Sequence, residues 1–499
     1  QSRGLGDVYK RQALEVPESS FGDDEHFIDD LGGDSLQVLS VSLKVEEQFG
    51  VMLSAEEYGQ CTTVNDLTRV IQNHLNGGTE EKTEEGGPVA PITRFEDAPE
   101  YQAFARRQQE LNASGEGNPY FVCHDSPLRD TSLMAGQEVL NFGSYNYVGM
   151  SGRKEVQEAA KAAIDRYGTS ASGSRLLAGE KSLYQELERE IADWKHAEDA
   201  LVCVGGHSTN VTVVGNFCGK GDLIVYDALA HNSIEQGCRL SRAVSKPFPH
   251  NDPEALENIL KVHRSHFAKV LIVIEGAYSM DGDVADVPAF VALKKKYGCF
   301  LMVDEAHSAC VIGQTGGGVD EYFHLEPTDV DIKMGTLSKG LGTCGGYLAG
   351  RKCLIEYLRY NLPGFVFSVG ISPALAAGTL EAIRQLRHNP AIMADLRRNI
   401  RCFAECAQKH GFDICLAGET AILPVMVGRD EDAFALSNEM RRRGVFVPPA
   451  VFPAVPKNRA RLRFCVISEH RPEQIERALD VLEEAAAALN ISLPRVQQG

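Results

Sequence analysis

Several things are missing from this sequence, and each narrows what it can be. No apolar run approaches the roughly 18 residues of a membrane-crossing helix; the longest, such as Val270–Ile274, have strand length. No membrane span is therefore expected. Thirteen cysteines include no Cys-x-x-Cys pair, which argues against a metal knuckle. An odd count, with no continuous hydrophobic stretch near the first residues, points to reduced thiols and a cytoplasmic protein. Basic residues are scarce beside acidic ones: 50 Lys and Arg against 69 Asp and Glu leave a net charge of −19. Such a chain is a poor partner for nucleic acid or an anionic membrane.

What is present is a soluble-type composition, 43% hydrophobic and 24% charged, over 499 residues. That length calls for two or three domains. The negative charge is uneven. Residues 13–76 hold thirteen acidic and two basic side chains, more than half of the net charge in about an eighth of the chain. Within them, Phe27-Ile-Asp-Asp-Leu-Gly-Gly-Asp-Ser-Leu36 precedes an amphipathic run with Leu36, Leu39 and Leu43 on one face. Ser35 then stands at the start of a helix after a Gly-Gly turn. It can act as an N-cap, or its hydroxyl can accept a phosphodiester favoured by the positive helix end. The Asp-Ser-Leu context resembles the carrier proteins of fatty acid, polyketide and peptide synthases. The resemblance implies 4′-phosphopantetheine on Ser35, installed by a phosphopantetheinyl transferase and charged by an acyl-loading enzyme. Carriers of this kind have an amphipathic helix before the loop. Here only the first dozen residues, a weak apolar stripe interrupted by Gly4 and Gly6, are available for it, so a shortened first helix is expected. Residues 77–95, rich in Gly, Glu and Pro without an apolar period, read as a flexible linker.

From residue 96 the pattern becomes that of an α/β protein. Apolar strand-like runs at 200–204, 223–226, 269–275, 300–304 and 345–349 alternate with helical patterns at 181–194, 252–263 and 287–297. This predicts a mostly parallel sheet covered on both faces, over residues 96–375. Residues 376–495, with helices at 374–388, 392–410 and 472–489 and strands near 421–427 and 461–466, read as a smaller α+β domain.

The chemistry concentrates in Asp331–Tyr347 and the strand before it. Lys339, flanked by Thr336, Ser338, Gly340 and Gly342, carries an amine in small-residue surroundings. Some thirty residues earlier, Phe300–His307 ends in Asp304 and His307. Singly, each reads as a loop lysine, a strand-end cap or a polar side chain at an element's end. In the order Asp-x-x-His, then Thr-x-x-Lys-Gly, they are the parts that pyridoxal 5′-phosphate chemistry needs: an amine for the Schiff base and an acid for the pyridine nitrogen. Backbone amides at Gly205–Asn210, where a glycine-rich turn opens a helix, suit the phosphate.

Further motifs join these: Asn146-Tyr-Val-Gly149, Tyr167–Arg175, Asp227-Ala-Leu-Ala-His-Asn-Ser233, His250-Asn-Asp252, Tyr278-Ser-Met-Asp-Gly282, Val303–Ser308 and Gly335–Gly340. Together they make residues 96–495 resemble the α-oxoamine synthases, fold-type-I pyridoxal phosphate enzymes. The resemblance implies Lys339 as the Schiff-base lysine and proton carrier, Asp304 on the pyridinium nitrogen, and His307 on the ring hydroxyl. It implies His231 stacked on one ring face with Ala306 on the other, Ser279 beside the ring, and phosphate contacts from Thr336, Gly206, His207 and Ser368. The sequence departs from the family at His207, where an aromatic is common, and at Val369, where a polar side chain often reaches the partner subunit. Arg463, on the Arg461-Leu-Arg463 strand, is implied to grip the amino acid carboxylate, with Arg461 as the other candidate, and Asn146 to lie near the same substrate. The implied reaction is decarboxylative condensation of serine, glycine or alanine with an acyl thioester, expected to be carrier-bound, in a homodimer. Two other readings stay open: an aminotransferase acting on a carrier-bound carbonyl, and a catalytically inactive partner subunit.

Overall fold

The computed structural model describes residues 63–75, 91–113 and 118–495. Ser35, the rest of the segment before residue 63 and most of the linker lie outside the described residues. Helix Val64–Leu75 is the described part of the acidic N-terminal unit. No helix among the described residues is long and apolar enough to cross a membrane.

A hairpin of β1 (Thr131–Met134) and β2 (Gln137–Asn141) leads into the main body. Seven strands then build the central sheet: β3 (Asp199–Cys203), β4 (Leu223–Asp227), β5 (Val244–Phe248), β6 (Val270–Glu275), β7 (Phe300–Asp304), β8 (Ile332–Thr336) and β9 (Gly346–Gly350). Their order is β3-β9-β8-β7-β6-β4-β5. Only β9 runs antiparallel to its neighbours, so the sheet is mostly parallel.

Every residue of β6 is buried, which requires cover on both faces. Side-chain alternation divides that cover. Leu271, Val273, Met302, Ile332 and Met334 pack with helices Gly206–Phe217, Asn232–Ser241 and Lys352–Asn361. Ile272, Ile274, Leu301 and Val303 pack on the other face, with helices Ser182–Trp194, Val287–Tyr297 and Pro373–His388. Helix starts follow their caps: Asp252 accepts from Ala255 N at 2.9 Å, and Asp286 from Ala289 N at 3.3 Å, each followed by a proline in the first turn.

The C-terminal region contributes β10 (Ile422–Gly428), β11 (Val445–Phe446), β12 (Pro449–Ala450) and β13 (Ala460–Cys465). Strands β10, β13 and β12 form one antiparallel sheet, while β11 joins β2 in parallel. Two expectations are corrected here. Helix 373–388 belongs to the main body, because Ala376, Leu380, Ile383 and Leu386 pack in the core of the large sheet. The hairpin near residue 140 belongs with the C-terminal unit, because Phe142 is buried there against Phe464. Helix Pro390–His410 spans both cores, with Ile392 to Ile400 in one and Phe403 to Ala407 in the other.

Candidate active site

The carboxyl ends of the parallel strands gather the predicted side chains, as open α/β sheets do with their ligand sites. Alternation sends Glu275 at the end of β6, Asp304 at the end of β7 and Thr336 at the end of β8 to the side of the sheet covered by helix 206–217. Three residues past β8, Lys339 turns back toward them. Its Nζ lies 2.7 Å from His307 Nε2, and His307 Nδ1 lies 2.8 Å from the hydroxyl of Tyr147.

This cluster is dehydrated, and its titration follows from that. Burial, aided by the Arg463 charge and opposed by Asp304 and Glu275, brings the Lys339 amine down to about 8. Burial and the Lys339 and Arg463 charges hold His307 well below the usual imidazole range, so its ring is neutral. With Lys339 donating to Nε2, the remaining proton sits on Nδ1 and points at Tyr147. Glu275 is pushed well above the usual carboxylate range by burial and by Asp304 beside it. Its Oε1 accepts the His231 backbone N–H at 2.6 Å.

Asp304 is anchored from two directions. Its Oδ1 accepts from Ala306 N at 2.9 Å, and its Oδ2 accepts from Asn210 Nδ2 at 2.6 Å. Asn210 also donates to Ser233 Oγ at 3.0 Å, which leaves its own buried Oδ1 without a hydrogen-bond partner. His231 caps helix 232–241: its Nδ1 accepts from Ser233 N at 3.2 Å, and the N–H therefore sits on Nε2. Desolvation on the packed side lowers its pKa. The ring itself stays exposed, with the His207 ring edge-on at 6.0 Å.

Helix 206–217 starts at Gly206 with no side-chain cap on its first amides. A Cβ on Gly206 would come within 2.8 Å of Thr336 Oγ1, so glycine is what allows the helix start and the Thr336 hydroxyl to share one cradle. Ser338 Oγ lies 2.7 Å from Thr336 Oγ1 on its rim. Free amides at a helix start beside two hydroxyls suit a phosphate; a buried carboxylate and a lysine of lowered pKa suit a pyridine aldehyde. The residues fit pyridoxal 5′-phosphate.

Beyond this group lies Arg463. It donates from Nε to Ser279 O at 2.6 Å and from Nη1 to Cys465 Sγ at 3.0 Å. Its guanidinium stands 4.9 Å from the centre of the Tyr145 ring, over which Lys339 Nζ also lies at 5.9 Å. Arg461, two residues earlier, is bound to Met280 O and Asp281, so of the two arginines only Arg463 faces the lysine group. Asn146 lies between the two tyrosines, but its amide is used in the loop: Nδ2 donates to Leu128 O, and Oδ1 accepts from Ser151 N. Ser368 lies apart, beside the end of β3 with Cys203 and Val204. Sequence reasoning overlooked Tyr145, Tyr147, Asn210 and Glu275. The tyrosines flank the quoted Asn146 motif, and Glu275 ends a strand that was recognised; Asn210 closes the glycine-rich turn.

Comparison with known proteins identifies the family. The family model for aminotransferase class I and II matches residues 137–482, and that for the phosphopantetheine attachment site matches residues 11–71. An 8-amino-7-oxononanoate synthase from Thermoanaerobacter pseudethanolicus is 38% identical over 383 residues, 77% of this chain and 96% of that protein. One from Treponema denticola is 36% identical over 386 residues, covering 77% and 97%. Among solved structures, Sphingomonas wittichii serine palmitoyltransferase superposes with a TM-score of 0.76 at 33% identity, over 81% of this chain and 100% of that one. A pyridoxal phosphate-bound serine palmitoyltransferase superposes with a TM-score of 0.75 at 30% identity, covering 79% and 99%. With fold, lysine site and relatives in agreement, the chain belongs to the aminotransferase class I and II family and, within it, to the α-oxoamine synthases, joined to an N-terminal phosphopantetheine-attachment unit.

Proposed function

We propose that the protein condenses a small α-amino acid with an acyl thioester presented on its own carrier, releasing carbon dioxide and the thiol and leaving an α-amino ketone. The observation that carries this reading is the contact of Lys339 with a neutral His307, in a cleft that also holds Asp304 and Arg463.

Bound pyridoxal 5′-phosphate supplies a cationic ring into which the electrons of a broken Cα bond can spread. The chain's own residues do the rest. Lys339 holds the cofactor through its amine and, with a pKa near 8, takes and returns a proton at the substrate Cα. Asp304 keeps the ring nitrogen protonated, and Asn210 holds Asp304 in place. His231 and Ala306 enclose the ring. His307, set by Tyr147, accepts from the ring hydroxyl at its Nε2. The uncapped amides at Gly206 and His207 take the phosphate together with Thr336, with Ser279 beside the ring. Arg463 grips the amino acid carboxylate as a planar fork, with Asn146 ordering the loop that carries Tyr145 and Tyr147.

A homodimer fits the exposed apolar side chains Leu177, Phe367 and Val369, on segments joined by the Ser174–Val369 bridge, and Leu240, which lines a hollow together with His207. A partner covering that face would also reach Ser368.

The relatives' names suggest serine as the first amino acid to try, with glycine and alanine beside it. The experiment offers each to the phosphopantetheinylated protein with a range of acyl groups and reads carbon dioxide and aminoketone. Aminoketone formed from carrier-bound acyl groups, and lost in Ser35→Ala, supports the reading. Equal turnover of free acyl-CoA by Ser35→Ala removes the tethered donor. Amino transfer without carbon dioxide overturns the condensation.

A further inference from the structure

His250 belongs to a motif that the chemistry above leaves unused. It follows β5 and reaches the carboxyl end of β4, on the face of the sheet away from Lys339. Its Nδ1 lies 3.1 Å from Asp227 Oδ1, and its Nε2 lies 3.1 Å from Asp283 Oδ2. Both carboxylates are buried. Neutral imidazole has one N–H and can serve one of them; only the imidazolium donates to both. Burial opposes that charge, but the two carboxylates outweigh it and raise His250 to about 10. The remaining titratable group against the ring is Tyr278, edge-on at 4.3 Å.

The two carboxylates sit at two joints of the site. Asp227 organises the segment that ends in His231. Its Oδ1 accepts from Leu229 N and its Oδ2 from Asn251 N, both at 2.8 Å, and its carbonyl accepts from Ala230 N at 2.9 Å. Asp283 closes the turn 278–283, where its carbonyl accepts from Tyr278 N at 3.0 Å. The other side of this turn is held by the C-terminal unit. Arg463 donates to Ser279 O, Arg461 to Met280 O and Asp281, and Thr420 Oγ1 to Gly282 O at 2.7 Å. Gly282 has a φ of +76° and packs on Ile422 O where a Cβ would collide. The turn is therefore seated between the large sheet and the smaller domain, and His250 is its attachment on the sheet side.

We infer that His250 is a positioning residue, a bridge from Asp227 to Asp283 that ties the His231 segment to the turn carrying Ser279 and so fixes the carbonyl against which Arg463 is set. This rests on the reading above only for the task of Arg463. An asparagine at position 250 can serve one carboxylate at most, which uncouples the two segments and leaves Asp283 buried without a donor.

The test uses the holoenzyme and its His250→Asn variant. Hydrogen exchange should rise about tenfold in peptides covering 227–233 and in those covering 278–284 together, with the rest of the sheet unchanged. Cofactor content should hold. The dissociation constant of whichever of glycine, L-alanine and L-serine binds best, read from the absorption of the bound cofactor, should rise about tenfold. A second variant, His250→Asn with Asp283→Asn, removes the unpaired carboxylate; it should regain melting temperature but not amino acid affinity. Unchanged exchange in either segment overturns the bridge. Affinity that recovers together with melting temperature reduces His250 to a stability role and overturns the positioning. If the wild type binds none of the three amino acids, the enzymatic reading fails, and the exchange data still judge the bridge.

Discussion

Asp304 and Glu305 are consecutive residues, both buried at the end of β7, and they face opposite sides of the sheet. Asp304 looks toward helix 206–217 and shares its surroundings with Lys339, Glu275 and two histidines. Glu305 looks the other way and meets Lys195 Nζ at 2.8 Å, with both side chains fully buried. Beside that pair, Lys333 on β8 meets Asp320 at 2.9 Å and donates to the Lys195 carbonyl at 2.9 Å. The Glu305 cluster is balanced, each cation facing its own anion, and it ends there. The Asp304 cluster is not paired off in this way: the Lys339 and Arg463 cations share one dehydrated cleft, and burial works against the charged forms of Lys339, His307 and Glu275. Dehydration first, and the neighbouring charges after it, are what move its titrations. Balanced buried charge holds strands together; unbalanced buried charge is available for chemistry.

That contrast can be broken at either end. The largest effect is expected on the reactive side: Lys339→Ala should lower the rate of condensation on the order of a thousandfold or more, measured as carbon dioxide release, while melting temperature changes little. On the structural side the pattern should invert. Lys195→Met leaves Glu305 buried without its cation and should cost about 3–5 kcal/mol in denaturant unfolding, most of it recovered when Glu305→Met is added. An intermediate effect is expected at Arg463→Lys, which keeps the charge and loses the fork. The Michaelis constant for the amino acid should rise roughly ten- to a hundredfold, with a smaller change in kcat.

The smallest effect sharpens the comparison by pH. Burial lowers the Lys339 amine to about 8, so its neutral, nucleophilic form grows in as pH rises through that value. An amine-labelling reagent on the cofactor-free protein, followed by mass spectrometry, should mark Lys339 with a midpoint near pH 8. Exposed lysines should still be gaining reactivity above pH 10. A midpoint like theirs would mean that the cluster is hydrated.

Much of this could be read in advance. The strands at 223–226, 269–275 and 300–304 are short aliphatic runs bounded by charged or glycine residues, and all three are in the sheet. Strand β8 was hidden by Lys333, a charge in the middle of an apolar pattern that Asp320 and the Lys195 carbonyl, both from outside the strand, make tolerable. Strand β5 was hidden by Pro247, which is accommodated because β5 lies at the sheet edge. Helix 206–217 is rich in glycine and β-branched residues, poor formers in isolation, and it is held by the buried Val213 and Val214 on the sheet.

The sequence alone determined the chemical inventory: a lysine, an acid and two histidines in motifs spaced as a pyridoxal phosphate site requires, an arginine pair on a late strand, and a serine in a carrier context. The tertiary structure decided their states and assignments. It turned Asp304 and Glu305 to opposite faces, chose Arg463 over Arg461 for the cleft, made His307 neutral, pushed Glu275 up by burial, and brought His250 between two carboxylates 56 residues apart in the chain. Residue order specifies which groups exist and how strands alternate. Charge state and facing depend on dehydration and on neighbours from other segments, and those exist only once the chain has packed.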